Sequence, residues 1–207
     1  MLTVHHLENS RSQRILWLLE EMALPYRVKR YERDPKTMLA PRELRRIHPL
    51  GKSPLLDDDG MIISESGAIV EYLVDKAGRA FGAPADRCNA LRYRQFIHYA
   101  EGSLMPPLLS LLVVKRLGLL GRPARKPLLS MFGRHLDYLD AELSNRPWFA
   151  GEKFTAADVM MSFPLEVARS RAGLDHRRRN LTEWLERIHA RPAYQRALAT
   201  GGPYAFA

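Results

Sequence analysis

The segment Glu8-Asn9-Ser10-Arg11-Ser12-Gln13-Arg14 is the first place in the chain where side chains could do chemistry. It joins a strand-like stretch to one with helical spacing, so its hydroxyls stand at a helix N-terminus. The dipole and unpaired amides of such a turn favour negative charge. Thiol chemistry uses turns of this kind because the thiolate is the nucleophile. This turn has no cysteine, and the chain's only cysteine is Cys88. The turn is therefore equipped to stabilise a thiolate that a ligand brings. A free thiol titrates near about 8.5 and is only a few per cent ionised at neutral pH. A hydroxyl donating to sulfur, helped by the helix end and Arg11, lowers that value. A shift of about two units ionises most of the bound thiol. Ser10 is the first candidate for that donor and Ser12 the second. One of the two caps the helix, and Ser12 is the better placed to do so. Asn9 is an alternative donor to the sulfur.

A second constellation follows in Leu50-Gly51-Lys52-Ser53-Pro54-Leu55-Leu56 and Met61-Ile62-Ile63-Ser64-Glu65-Ser66. Pro54 precedes a short apolar run and cannot donate to a sheet ladder. It marks a strand start or edge where neighbouring backbone groups stay free. Asp59-Gly60 is a turn signal between two short strands. Glu65-Ser66 opens a helix, with Ser66 the expected N-cap. A helix N-terminus is also an anion site. A free strand edge, Lys52, the Glu65 carboxylate and that helix end together suit a small zwitterionic peptide.

These residues are positioned by a β-α-β-α-β-β-α series. Leu2 to His6 reads as a strand, and residues from about 12 to 23 as a helix on the spacing of Ile15, Leu18, Leu19 and Met22. Tyr26 to Arg30 alternates like a strand, and Pro41 to Ile47 is a short helix limited by Pro49. The last helix turns Ile69, Tyr72 and Leu73 inward. The β-α-β unit implies a parallel pair and the hairpin an antiparallel one. Gly78 to Pro84 is a composition break. The remainder reads as helical, over roughly 87–118, 124–144, 155–171, 179–190 and 192–199, with a kink at Pro106-Pro107. Thr155 and Asp158 form a capping box with a purely folding role. The fold class is α+β, with domains at 1–78 and 87–207 and a linker at 79–86.

The chain has 207 residues, 46% of them apolar, which is enough for real cores. No unbroken run of 18 apolar residues and no secretory signal is seen, so a cytoplasmic location without a membrane is expected. A single cysteine leaves no internal disulfide and no cysteine metal cluster. His5 and His6 alternate along the first strand and form no metal site, and His98 is read as a surface or core residue. The net charge of +9 is spread along the chain. It reads as a basic surface that attracts small anions rather than nucleic acid.

In this order and spacing, four pieces resemble the cytosolic glutathione transferase family across essentially the whole chain. They are the Ser10 turn, Pro49 to Leu56, Glu65-Ser66-Gly67-Ala68-Ile69, and Phe154-Thr155-Ala156-Ala157-Asp158. The stretch from His5 to Trp17 is similar to a bacterial and fungal branch. The resemblance implies a thioredoxin-like N-terminal domain, an all-helical C-terminal domain and a homodimer. It implies a cis Ser53–Pro54 bond, with Ser53 pairing its main chain to the cysteinyl part of glutathione. Many relatives carry valine or isoleucine in place of Ser53, a change that leaves a main-chain role intact. Glu65 and Ser66 would hold the γ-glutamyl end, Lys52 the glycyl carboxylate, and Glu101 the amino group across a dimer interface. The implied electrophile site lies between the domains, with Tyr99, Ser103, Met105, Leu108 and Leu109 as candidates. The implied activity is attack of glutathione thiolate on a small hydrophobic electrophile or a peroxide, with glutathione as co-substrate and no metal. The competing reading is a non-enzymatic binding or regulatory module of the same family.

Overall fold

The computed structural model describes residues 1–207. The chain divides into two compact units, Met1–Gly82 joined by His189–Ala205 and Ala207, and Ala83–Ile188 joined by Phe206.

The first unit is built from β1 (Leu2–Leu7), α1 (Ser12–Glu21), β2 (Tyr26–Tyr31), α2 (Leu44–Ile47), β3 (Leu55–Asp58), β4 (Met61–Ser64) and α3 (Ser66–Lys76). The strands lie in the order β2-β1-β3-β4. The β1–β2 pair is parallel, and β1–β3 and β3–β4 are antiparallel. This is a thioredoxin-like sheet. β3 is internal, so Pro54 marks a strand start and not an edge. Asp59 and Gly60 have φ of 51° and 94°, which lets two residues turn the hairpin. α3 buries Ile69, Val70, Leu73 and Val74. Tyr72, expected on that face, instead donates its hydroxyl to the Asp58 carboxylate on β3.

A later helix, α9 (Pro192–Gly201), packs on α1. This differs from the expected boundary, which gave everything after residue 87 to the helical part. The reason is visible in α1, whose residues from Ser12 to Leu19 are all buried and need cover beyond the sheet. Trp17 meets Tyr194 edge-on with centroids 5.3 Å apart. Arg191 grips Glu21 through two bonds of 2.5 and 2.8 Å, and Arg196 bonds Glu20 at 2.8 Å.

In the second unit α4 (Arg87–Tyr99), a π-helical turn (Ala100–Leu104) and α5 (Met105–Arg116) form one continuous helix of 30 residues. The irregularity expected at Pro106-Pro107 falls one turn upstream. Prolines have no N–H to return to the carbonyls four residues back. The chain takes the wider turn before them, and Met105 N–H bonds the Ala100 carbonyl. This helix is long and apolar enough by composition to cross a membrane, which a search for unbroken apolar runs does not reveal. Its inner residues Phe96, Ala100 and Leu104 are core. A 3-10 turn at Gly118–Gly121 leads to α6 (Arg122–Glu142), followed by α7 (Ala156–Arg171) and α8 (Arg179–His189). Asp158 opens α7 wholly buried. It accepts from Phe149 N and Thr155 N at 3.0 Å, and from Thr155 Oγ1 and Trp184 Nε1 at 3.2 Å.

Burial shifts one group strongly in each unit, His6 in the first and Asp158 in the second, and the two have opposite pH signatures. Burial holds His6 on β1 down to about 4 from 6.5, and pushes Asp158 up to about 6 from 3.8. The stability tied to His6 is complete above pH 6.5 and is lost as pH falls through about 4. That tied to Asp158 is complete below pH 3.8 and is lost as pH rises through about 6. Each is worth roughly 3 kcal/mol at about 1.4 kcal/mol per pH unit. Hydrogen exchange, corrected for intrinsic rates, should show β1 amides losing protection between pH 6.5 and 4 while the Phe149 and Thr155 amides gain it.

Candidate functional site

The sheet register gathers the chemistry-bearing segments at one end. β1 and β3 pair His5 with Leu55, and β3 and β4 pair Leu55 with Ser64. Continuing both ladders by two residues sets Ser53 between Leu7 and Ser66. The turn after β1, the loop before β3 and the start of α3 therefore meet there.

The Ser53–Pro54 peptide is cis. The Ser53 hydroxyl donates to the His5 carbonyl at 2.8 Å and accepts from Leu7 N–H at 3.3 Å. The side chain thus makes the contacts to β1 that the main chain of a regular strand would make. The Ser53 amide and carbonyl form no backbone hydrogen bond. They remain available to an extended ligand on a half-buried surface. Lys52 beside them is exposed, and Pro54 is buried.

At the start of α3 the expected cap shifts by one residue. Glu65 is the N-cap and Ser66 the first helical residue, buried at 4% exposure. Glu65 has φ 70° and ψ 125°, in the left-handed half of backbone space. A non-glycine residue there costs about 1–3 kcal/mol and is found where surrounding structure enforces it. Its carbonyl already accepts the Ile69 amide at 3.0 Å, while its carboxylate stays exposed.

The hydroxyls of the first turn form a chain running inward. Ser10 Oγ lies 2.8 Å from Ser12 Oγ, which lies 2.8 Å from His6 Nδ1. Ser12 Oγ also accepts from Leu7 N–H at 3.1 Å. Ser12 is 0% exposed, whereas Ser10 is 6% exposed. A hydroxyl has one proton and two lone pairs, so the donors can be assigned. His6 is neutral at pH 7 because burial lowers its pKa to about 4. Its hydrogen bond to the Gly201 backbone favours protonation, so the carbonyl accepts from the ring. Nε2 is the nitrogen on the Gly201 side. Nδ1 is then an acceptor, and Ser12 donates to it at 2.8 Å in preference to the Leu7 carbonyl at 3.2 Å. Leu7 N–H fills one Ser12 lone pair, and Ser10 O–H fills the other. Ser12 is therefore saturated and sealed from a ligand. Ser10 is the outermost hydroxyl and also accepts Ser12 N–H at 3.2 Å.

Asn9 has φ 49°, and its Oδ1 accepts from Ala205 N at 2.7 Å. Arg11 is half-buried and is the N-cap of α1, which has no side-chain cap. Ser12, the expected cap, is instead the first helical residue, with its hydroxyl turned to His6 and Leu7. Sequence reasoning missed His6 as part of this network, because its neighbour there lies six residues ahead across a turn. It also missed Gly201, where an added Cβ would lie 2.6 Å from Gln13 Oε1 and 3.0 Å from Leu16 Cδ1. A glycine after an apolar helix was the only signal.

The electrophile candidates belong to the second unit and do not share one face. The Tyr99 hydroxyl bonds His135 Nδ1 on α6 at 2.5 Å, and burial pushes its pKa up to about 12. Glu101 and Ser103 lie on the π-helical turn, half-buried. Met105 and Leu108 are buried, and Leu109 is 56% exposed. Leu108 alone of the five lines a cavity of about 720 Å³. No group of three or more His, Cys, Asp or Glu side chains is placed to hold a metal.

Comparison with known proteins agrees with this architecture. Residues 1–75 match the glutathione S-transferase N-terminal domain model, and residues 122–187 a glutathione S-transferase C-terminal domain model. The chain is 36% identical to glutathione S-transferase 3 of Schizosaccharomyces pombe, over 93% of this chain and 85% of that protein. A glutathione S-transferase structure from Actinobacillus pleuropneumoniae superposes with TM-score 0.89 and 32% identity, covering 100% of this chain and 95% of the other. A glutathione transferase family member from Pseudomonas fluorescens, solved with two glutathione bound, superposes with TM-score 0.81 at 25% identity, over 95% and 92%. The sheet, the cis bond before β3, the helical second unit and this likeness over nearly the full length place the chain in the glutathione S-transferase family.

Proposed function

We propose that the first unit binds glutathione and that the protein transfers its thiolate to a small hydrophobic electrophile. The observation that carries this reading is Ser53. Its hydroxyl takes over the pairing with β1, and its amide and carbonyl are left for a ligand that adds as a strand. The cysteinyl main chain of glutathione would pair there. Lys52 would meet the glycyl carboxylate, and Arg11 would add positive charge near the sulfur. Glu65 would take the γ-glutamyl amine, and the Ser66 amide and hydroxyl its carboxylate. The enforced backbone of Glu65 supports that role, since such geometry concentrates where ligands are clamped.

Ser10 is the residue that faces the sulfur in this reading. In the free protein its proton is directed at Ser12. Swinging it outward gives up a neutral hydrogen bond worth about 1 kcal/mol and gains one to a charged acceptor worth about 1.5–3 kcal/mol. The swing is therefore favourable when the ligand is thiolate and unfavourable when it is thiol. That difference lowers the thiol pKa. The thiol proton leaves to solvent. The sulfur lone pair then forms the bond to an electrophilic carbon as the leaving group departs, or to a peroxide oxygen as the O–O bond breaks. Catalysis is thiolate stabilisation and positioning, with no proton transfer required of the protein in the attack.

Binding is tested by retention on immobilised glutathione and by the rise in melting temperature with free glutathione. Absence of both would leave the binding-module reading in place. Ser10→Ala should cut turnover about 2- to 30-fold, the net of about 0.5–2 kcal/mol between the charge-assisted bond gained and the neutral one given up, with glutathione affinity within about twofold. Unchanged turnover would transfer the role to Asn9. Glu65→Gly should separate stability from binding. Relief of the left-handed backbone should raise the unfolding free energy by about 1 kcal/mol after the entropic cost of glycine, while glutathione affinity falls. Urea unfolding and isothermal titration measure the two halves.

A further inference from the structure

Between Glu101 and Asp137 the chain contains no acidic residue and six Lys or Arg residues. This stretch forms the end of the helical hairpin between α5 and α6. Its connecting turn reads Leu117-Gly118-Leu119-Leu120-Gly121. Leu119 and Leu120 are 77% and 86% exposed, the two most exposed large apolar side chains of the protein. Two glycines fix them outward. Gly118 has φ 57°, which suits glycine at a helix end. A Cβ on Gly121 would lie 2.1 Å from the Val114 carbonyl oxygen. The turn therefore packs backbone on backbone, and its leucines have no core to enter. Leu109, Val113 and Leu117 continue the apolar surface along α5 at spacing i, i+4, i+8, each about half exposed.

Around this tip stand Lys115, Arg116, Arg122, Arg125 and Lys126. The ion pairs of α4 and α6, Arg92 and Arg146 with Glu142 and Arg178 with Asp137, lie toward the other end of the hairpin and involve other cations. A cavity of about 720 Å³ opens beside the turn, walled by four of these five cations, with Arg171 from α7 and leucines of α5 completing it. Apolar side chains at a protruding tip, ringed by cations with no acid among them, match a surface that is anionic outside and apolar beneath. Basic residues near such a surface and apolar residues pushed into its headgroup zone add their effects. A nucleic acid would satisfy the cations but has no use for the leucines.

We propose that the α5–α6 tip docks the protein reversibly on an anionic lipid membrane. Leu119 and Leu120 enter the headgroup region, and the flanking cations contact lipid phosphates. The protein docks on the surface; the long helix remains in its core.

The test is co-sedimentation of the full chain with vesicles of phosphatidylcholine alone and of phosphatidylcholine mixed with phosphatidylglycerol. Binding to the mixed vesicles that weakens with salt is expected, with little binding to phosphatidylcholine. Leu119→Asp/Leu120→Asp should weaken it about tenfold or more. Arg122→Glu/Arg125→Glu should weaken it without altering the melting temperature. Absence of binding to mixed vesicles would overturn the proposal. Full binding by the leucine variant would mean a purely electrostatic polyanion site and would also overturn it. So would a change of oligomeric state in the leucine variant without vesicles, since the tip would then be a subunit contact. These readouts use no glutathione and stand apart from the transferase assays.

Discussion

One backbone amide ties the candidate site together. Leu7 N–H, at the end of β1, is shared between the hydroxyls of Ser12 at 3.1 Å and Ser53 at 3.3 Å. Ser12 belongs to the turn proposed to offer a hydroxyl to a thiol. Ser53 belongs to the loop proposed to offer its main chain to a peptide. The two halves thus meet at one shared donor on β1, and the Ser53 hydroxyl is held to the same strand by its bond to the His5 carbonyl at 2.8 Å. A shift of β1 by one residue would replace that donor with one on the opposite face and separate the halves. The cis bond at Ser53–Pro54 and the side-chain pairing of Ser53 are two expressions of the same geometry. The loop must turn so that its hydroxyl, and not its main chain, meets β1.

The inward chain from Ser10 through Ser12 to His6 ends at the Gly201 carbonyl, on the last residue of α9. Proton direction along this chain is decided at its buried end. A ring that is neutral and donates from Nε2 leaves every hydroxyl pointing inward. In the proposed function, a thiolate at the outer end is the partner that would turn the first hydroxyl round, and selectivity for the ionised sulfur would come from the difference between a neutral and a charge-assisted hydrogen bond.

Much of this was legible in the sequence, because it rests on local rules. The strand–helix alternation, the Asp59-Gly60 turn, the proline at a strand start and the Thr155–Asp158 box are each decided by residues within a few positions. What was not legible depends on long-range partners. The pattern of α9 shows that one face is apolar but not that it will cover α1, so the domain boundary is not a single cut in the chain. Ser66 looks like an N-cap because serine accepts helix amides. The structure gives that position to Glu65 through an enforced left-handed backbone that glutamate has no intrinsic tendency to adopt. The electrophile candidates were chosen for lying on one helix. Neighbours such as Leu108 and Leu109 turn about 100° apart on it, so a helix alone cannot make them a wall.

The return of α9 to the first unit also orders events in time. Chains emerge from the ribosome N-terminus first, at roughly 5–20 residues per second, and domains tend to fold as they emerge. Here the strand that carries the site is among the first parts made. The helix that covers α1 comes some 170 residues later, and the carbonyl that sets the His6 tautomer lies at its end. The second unit has its whole sequence, apart from Phe206, between these two pieces. Synthesis should therefore deliver a finished helical unit while the thioredoxin-like one still waits for its cover, and the part made first is the part completed last.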